Sequence, residues 1–197
     1  LTLDKPQEAM KELQDAKALK PDDINVLYTE GEINGRNGNW NQALENYNRA
    51  LKMAIDVKYP DKVLGKYKVG VGVAHYKLGN MKEYDKIAAE LKSSPNTKKF
   101  YSMLLKSTKG GGASLQLRLA MAYLKANEYE EALKYANDAI KLGENLSQAY
   151  KIQGLIHTKA GEPNLAITSF SKAASESGND EKELDKIYQT MVKLQFN

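Results

Sequence analysis

The chain has 197 residues, 42% of them hydrophobic and 27% charged, with a formal net charge of +4 and no cysteine. This balance excludes a disordered polymer, disulfides and thiolate metal sites, and no apolar run approaches the roughly 20 residues of a membrane span. The mild positive charge is too small to indicate nucleic acid by itself and tilts partner choice toward acidic surfaces; nothing in the composition points to a compartment.

The chain begins at Leu1 rather than Met, which leaves room for a leader or a larger N-terminal region. Counted on a ruler of 34 residues, segment 1–23 holds one helix, with Ala9, Leu13, Ala16 and Pro21 at offsets 20, 24, 27 and 32. Pro6 at its start and Pro21 beyond its end bracket it as a first-turn proline and a stop. Segment 24–57 places Gly31 at offset 8, Gly38 at 15, Trp40 at 17, Ala43 at 20, Tyr47 at 24 and Ala50 at 27. Seven inserted residues, 58–64, contain Pro60 and predict a lengthened helix before them and a displaced start of the next one.

Segment 65–98 keeps Gly72 at offset 8 and Gly79 at 15, but carries Tyr84 and Ala88 where a small and then a large residue are expected. Residues 99–112 lie outside the interval. Phe100, Met103, Leu104 and Ser107 share one face there, which predicts an extra helix near 96–108 ended by glycine. Segments 113–146 and 147–180 repeat the pattern: Ala120, Ala132 and Ala139 in the first are matched by Gly154, Ala166 and Ala173 in the second, with Tyr150 at offset 4, Gly161 at 15 and Phe170 at 24. Segment 181–197 supplies Leu184, Ile187, Tyr188 and Met191 at offsets 4, 7, 8 and 11, a first helix with no second, which reads as a closing helix.

A 34-residue interval with small residues at offsets 8, 20 and 27 resembles the tetratricopeptide repeat, a helix-turn-helix unit. The resemblance implies an all-α fold, a right-handed α-solenoid of helix pairs. It would have a half repeat at 1–23, repeats at 24–57, 65–98, 113–146 and 147–180, and a C-terminal capping helix. One extra helix before Gly110–Gly112 would interrupt the superhelix, so that the two halves sit at an unusual angle or move. The steric reason for the small residues is that offsets 8 and 20 mark the close approach of two helices of one repeat, while 27 faces the next.

By the same resemblance the first helices line a groove that holds a peptide or a helix of another protein, and offsets 2, 5, 6, 9 and 13 face it. Those offsets give Tyr28, Glu32 and Arg36, then Lys66, Val73 and Lys77, then Leu117, Arg118, Met121 and Lys125, and finally Gln148, Lys151, Leu155 and Lys159. Basic heads over an apolar floor suit an acidic-hydrophobic segment or a terminal carboxylate; ordinary solvated charges are the plainer reading of the same residues. Repeats that capture the C-terminal carboxylates of large chaperones need Lys and Asn at offsets 5 and 9, Asn at 6, and Lys and Arg at 2 and 6 of successive units. Only Arg118 fits, so such an adaptor is not expected.

No catalytic chemistry is expected either. His75 and His157 both fall at offset 11, an aromatic packing slot, and neither has a second ligand at metal spacing. The Gly70–Gly72 run lacks the third glycine of a dinucleotide loop. Lys109 with the glycines after it lacks the ending of a phosphate loop and reads as a linker. Glu128, Glu130 and Glu131 begin a helix, where they complement its dipole. The expectation is a non-catalytic interaction module within a larger assembly, without cofactor, metal or nucleic acid. The alternative is a scaffold that self-associates through the exposed N-terminal half repeat.

Overall fold

Nested helices need a turn that ends each first helix at a fixed place, and four turns of this chain share one construction. The computed structural model describes residues 6–20, 22–108, 111–178 and 180–195, and among them has eleven α-helices and no strand. The N-terminal unit, Leu1–Ser107, holds α1 (Pro6–Leu19), α2 (Ile24–Arg36), α3 (Trp40–Asp56), α4 (Asp61–Lys77), α5 (Met81–Leu91) and α6 (Thr97–Ser107). The C-terminal unit, Thr108–Asn197, holds α7 (Ala113–Lys125), α8 (Tyr129–Lys141), α9 (Leu146–Ala160), α10 (Pro163–Ser175) and α11 (Glu181–Gln195). The stop assigned to Pro21 and the linker residues Lys109 and Gly110 lie outside the described residues.

At offset 15 of each repeat the backbone turns left-handed: Gly38, Gly79, Asn127 and Gly161 have φ of 81°, 75°, 60° and 78°. The next N–H then reaches back five residues to a helix carbonyl: Asn39 to Asn34, Asn80 to His75 and Glu162 to His157 at 2.9 Å, Glu128 to Tyr123 at 3.0 Å. This is a Schellman closure, which satisfies otherwise orphaned carbonyls and favours glycine or asparagine at the left-handed residue. Each second helix therefore starts at a fixed distance from the end of its partner.

The rings at offset 24 explain the glycines at offset 8. Tyr47 on α3 is enclosed between α2 and α4: a Cβ on Gly31 would lie 2.6 Å from its ring, and one on Gly70 2.5 Å. Phe170 on α10 fills the same notch against Gly154. In the α7/α8 pair the notch is occupied by small residues throughout, with Ala120, Ala132, Ala136 and Ala139 buried among Leu117, Leu124, Ile152 and Ile156. Gly154→Val should therefore destabilise the C-terminal unit by about 1–3 kcal/mol, because Phe170 must leave its rotamer. Chemical denaturation checks this. The pair Gly154→Ala with Phe170→Leu should recover most of what Gly154→Ala alone loses.

The inserted residues are shared between two helices. α3 runs on to Asp56, and α4 begins at Asp61, four residues ahead of Gly65. In the second helix pair, α4/α5, the large Tyr84 at offset 20 would crowd a normal partner, and the Gly72 notch is filled differently. Ile87 of α5 and Phe100 of α6 both come within 2.8 Å of where a Gly72 Cβ would stand. Tyr84 stacks on Phe100 at 5.9 Å. The extra helix α6 is thereby tied to α4 as a third inner helix of its unit, burying Phe100, Tyr101 and Leu104 while Met103 is only half-buried. In the C-terminal unit α11 caps the last pair, with Leu184, Ile187, Met191 and Leu194 against Ala166, Phe170 and Ala173. Tyr188, at the offset where a repeat would need glycine, points outward.

Candidate functional site

In the N-terminal unit α2 packs against α4 and α4 against α6, and a buried tyrosine cluster lies among α2, α3 and α4. Tyr28 of α2 meets Tyr47 at 5.2 Å between ring centroids and Tyr67 edge-on at 5.5 Å, and Tyr59 stacks on Tyr67 at 6.4 Å. Two ammonium groups stand over this cluster. Lys66 Nζ is 5.4 Å from the centroids of both Tyr28 and Tyr67, and Lys99 Nζ is 5.4 Å from that of Tyr28. Lys66 is half-buried, donates to Asn25 Oδ1 at 3.3 Å, and has no carboxylate partner among the described residues. Lys99 has only a loose one, Glu32 Oε1 at 3.9 Å.

The Tyr28 hydroxyl is buried with no hydrogen-bond partner among the described residues. Burial first, then the Glu32 carboxylate, pushes the Tyr28 phenol well above its ordinary range. Burial and Glu32 raise Tyr47 as well, against the opposing Arg36, and Tyr67 moves the same way, chiefly by burial. All three remain neutral donors at physiological pH.

Several residues expected to reach into a groove have other roles. Tyr28 is enclosed by Tyr47 and Tyr67, so it lies beneath the site rather than projecting into it, and Val73 is buried on α4. Lys77 Nζ donates to the Ser107 carbonyl at 2.9 Å and lies 5.6 Å from the Trp40 ring, binding the end of α4 to the end of α6. Arg36 is exposed at the last turn of α2. Lys99 escapes the sequence reading because α6 falls outside the 34-residue interval; the signal that could have found it is its place beside the core-facing Phe100.

In the C-terminal unit Leu117 is buried in the α7/α8/α9 core and Met121 packs against it, while Arg118 and Lys125 are exposed on α7. Leu155 and Lys159 are exposed on α9. Lys151 donates to Glu183 of α11, so it is neutralised by the capping helix. Beside it lies an open polar recess of about 520 Å³ lined by Ser147, Gln148, Glu176, Asp180 and Glu183 among others. Three carboxylates against one lysine make that end acidic rather than basic.

The two histidines bridge the turns that follow their helices. His157 Nδ1 is 2.6 Å from Glu162 Oε2, and His75 Nδ1 is 3.4 Å from Asn80 Nδ2. Both rings are half-buried against the turn. Among the described residues no helix is long and apolar enough to cross a membrane, and no three His, Asp or Glu side chains converge as a metal site would require.

The family model described as Tetratricopeptide repeat matches residues 117–181, from within α7 to the first residue of α11. No curated protein matches the chain. Solved structures similar to it include the "TPR2AB-domain:pHSP90-complex of yeast Sti1", at 18% identity over 96% of this chain and 92% of that one, with a TM-score of 0.45. BtubC from P. vanneervenii is similar at 15% identity, over 95% and 79%, with a TM-score of 0.46. A thermophilic protein of the same repeat class from Thermus thermophilus, TTC0263, is similar at 16%, over 91% and 87%, with a TM-score of 0.44. Residues 117–181 thus carry the tetratricopeptide repeat, and the turn closure found there recurs in all four helix pairs of the chain.

Proposed function

We propose that the chain is a non-catalytic interaction module that holds an acidic-hydrophobic peptide or helix of a partner protein on the α2/α4/α6 surface, as part of a larger assembly. The repeat fold is that of a protein–protein interaction module. The observation that carries the choice of surface is Lys66: a half-buried ammonium without a carboxylate partner among the described residues, set over two tyrosine rings. Ring faces compensate a cation by about 0.5–2 kcal/mol, less than a charge-assisted hydrogen bond to a carboxylate supplies. A carboxylate of a bound segment would serve Lys66 and Lys99 together, and its apolar neighbours would meet the partly exposed Tyr59 ring stacked on Tyr67.

The test uses two fluorescent peptides, one alternating Glu with Leu and one alternating Lys with Leu, followed by anisotropy. The acidic peptide should bind, its affinity should fall with salt, and Lys66→Glu with Lys99→Glu should weaken it at least about tenfold. Equal binding of both peptides, or an unchanged affinity in the double variant, would reject this surface.

A further inference from the structure

Of the asparagines in the chain only Asn34 and Asn37 are followed by glycine, and the two stand three positions apart at the end of α2. Such a pair has a chemistry of its own, because a main-chain nitrogen with no side chain beside it can approach the carboxamide carbon of the residue before it. The fold treats the two pairs in opposite ways. Asn34 and Gly35 belong to the body of α2: Asn34 is half-buried, Gly35 is buried, and the Trp40 ring comes within 2.9 Å of where a Gly35 Cβ would stand. Asn37 and Gly38 form the turn beyond the helix. Both are exposed, and nothing lies within 4 Å of where a Gly38 Cβ would stand.

The reacting groups at Asn37 are also lightly held. Its carboxamide has no hydrogen bond among the described residues. The Gly38 N–H is held by one bond, to the Gly35 carbonyl at 3.2 Å, the long end of the usual range. Releasing that bond opens only the turn, whereas bringing the Gly35 nitrogen to the Asn34 side chain means unwinding the end of α2. Openings of such different extent differ widely in free energy.

We propose that Asn37 is a site of spontaneous covalent modification, converting to iso-aspartate and so unfastening the turn between α2 and α3, while the helix protects Asn34. The Gly38 nitrogen gives its proton to solvent base and bonds to Asn37 Cγ; the Cγ–Nδ2 bond breaks and Nδ2 leaves as ammonia. Water then opens the cyclic imide, at Cγ to give aspartate or at the main-chain carbonyl to give iso-aspartate. The balance is one water taken up and one ammonia released, with nothing oxidised or reduced. Either product sets a carboxylate at the negative end of the α2 dipole. Iso-aspartate also inserts a methylene into the main chain inside the closure from the Asn39 N–H to the Asn34 carbonyl, so that bond is lost. Trp40, the next residue, rests against Gly35 through this closure. The site is separate from the peptide surface and does not depend on that reading.

The test holds the full chain at about pH 9, below the range in which tyrosine ionises. Peptide mapping by mass spectrometry locates the lost carboxamide, and an isoaspartyl methyltransferase with a labelled methyl donor counts iso-aspartate. Asn37 should convert at least about tenfold faster than Asn34, and faster still as the pH is raised. In urea the two should convert at similar rates, since no helix is left to distinguish them. Asn37→Gln, whose longer side chain closes such a ring far more slowly, should abolish the iso-aspartate label at this turn. Trp40 emission should shift in the converted chain and stay in place in freshly prepared Asn37→Asp, which carries the charge without the added methylene. Conversion of Asn34 alongside Asn37 in the folded chain would overturn the proposal, as would the absence of conversion at Asn37 or unequal rates in urea. So would a converted chain whose Trp40 emission is that of the original.

Discussion

Replacing Tyr47 by alanine should cost the N-terminal unit about 3–5 kcal/mol, a large share of what a domain of this size has to lose. The ring is almost wholly buried and fills two notches at once, Gly31 on α2 and Gly70 on α4, so its removal opens a void between three helices. Neither glycine has a side chain that could move in. The single tryptophan, Trp40, belongs to the same core cluster, and its emission reports this unit during urea denaturation. The midpoint should fall sharply for Tyr47→Ala and little for Tyr47→Phe, which keeps the ring and removes only the hydroxyl. Gly31→Ala should destabilise by the opposite route, overfilling the notch, at about 1–3 kcal/mol. Equal shifts for Tyr47→Ala and Tyr47→Phe would mean that the ring does not hold the three helices together.

What is legible in the sequence follows from which constraints are local. The left-handed turns at Gly38, Gly79 and Gly161, the notch at Gly154 and the helix Thr97–Ser107 can be read because each is written in a short stretch of chain at a fixed offset. The all-α helix-pair architecture follows from the same offsets. Contacts between distant helices are not legible. Phe100 of α6 enters the Gly72 notch because Tyr84 has displaced the usual arrangement, and no offset within one repeat records that substitution. Lys151 stands at a groove offset, yet Glu183, 32 residues later on the capping helix, neutralises it. Lys99 and Tyr28 are 71 positions apart, and only the docking of α6 beside α4 brings them together. Tyr28 itself occupies a groove offset, but an offset fixes only the direction of a side chain, and two further tyrosines enclose this one.

Raising the pH above about 10 should unfold the N-terminal unit, and the sign follows from the buried phenols. Burial and the Glu32 carboxylate hold Tyr28 and Tyr47 protonated in the folded unit to a pH well above that at which an unfolded tyrosine ionises. Below pH 10 both states keep the proton and nothing is lost. Above it the unfolded chain releases protons that the folded one retains, so stability falls as pH rises, by about 1.4 kcal/mol per pH unit for each such tyrosine. Two tyrosines double the slope. In a titration followed by tyrosinate absorbance, most of the twelve tyrosines should ionise gradually, while the last few should do so abruptly, together with a change in Trp40 emission. Tyr28→Phe should remove about half of the alkaline slope. At neutral pH it should cost little, because the hydroxyl it deletes is buried without a hydrogen-bond partner among the described residues. Smooth ionisation of all twelve near pH 10 with unchanged Trp40 emission would show that the cluster admits water and that the enclosed floor beneath Lys66 and Lys99 does not exist.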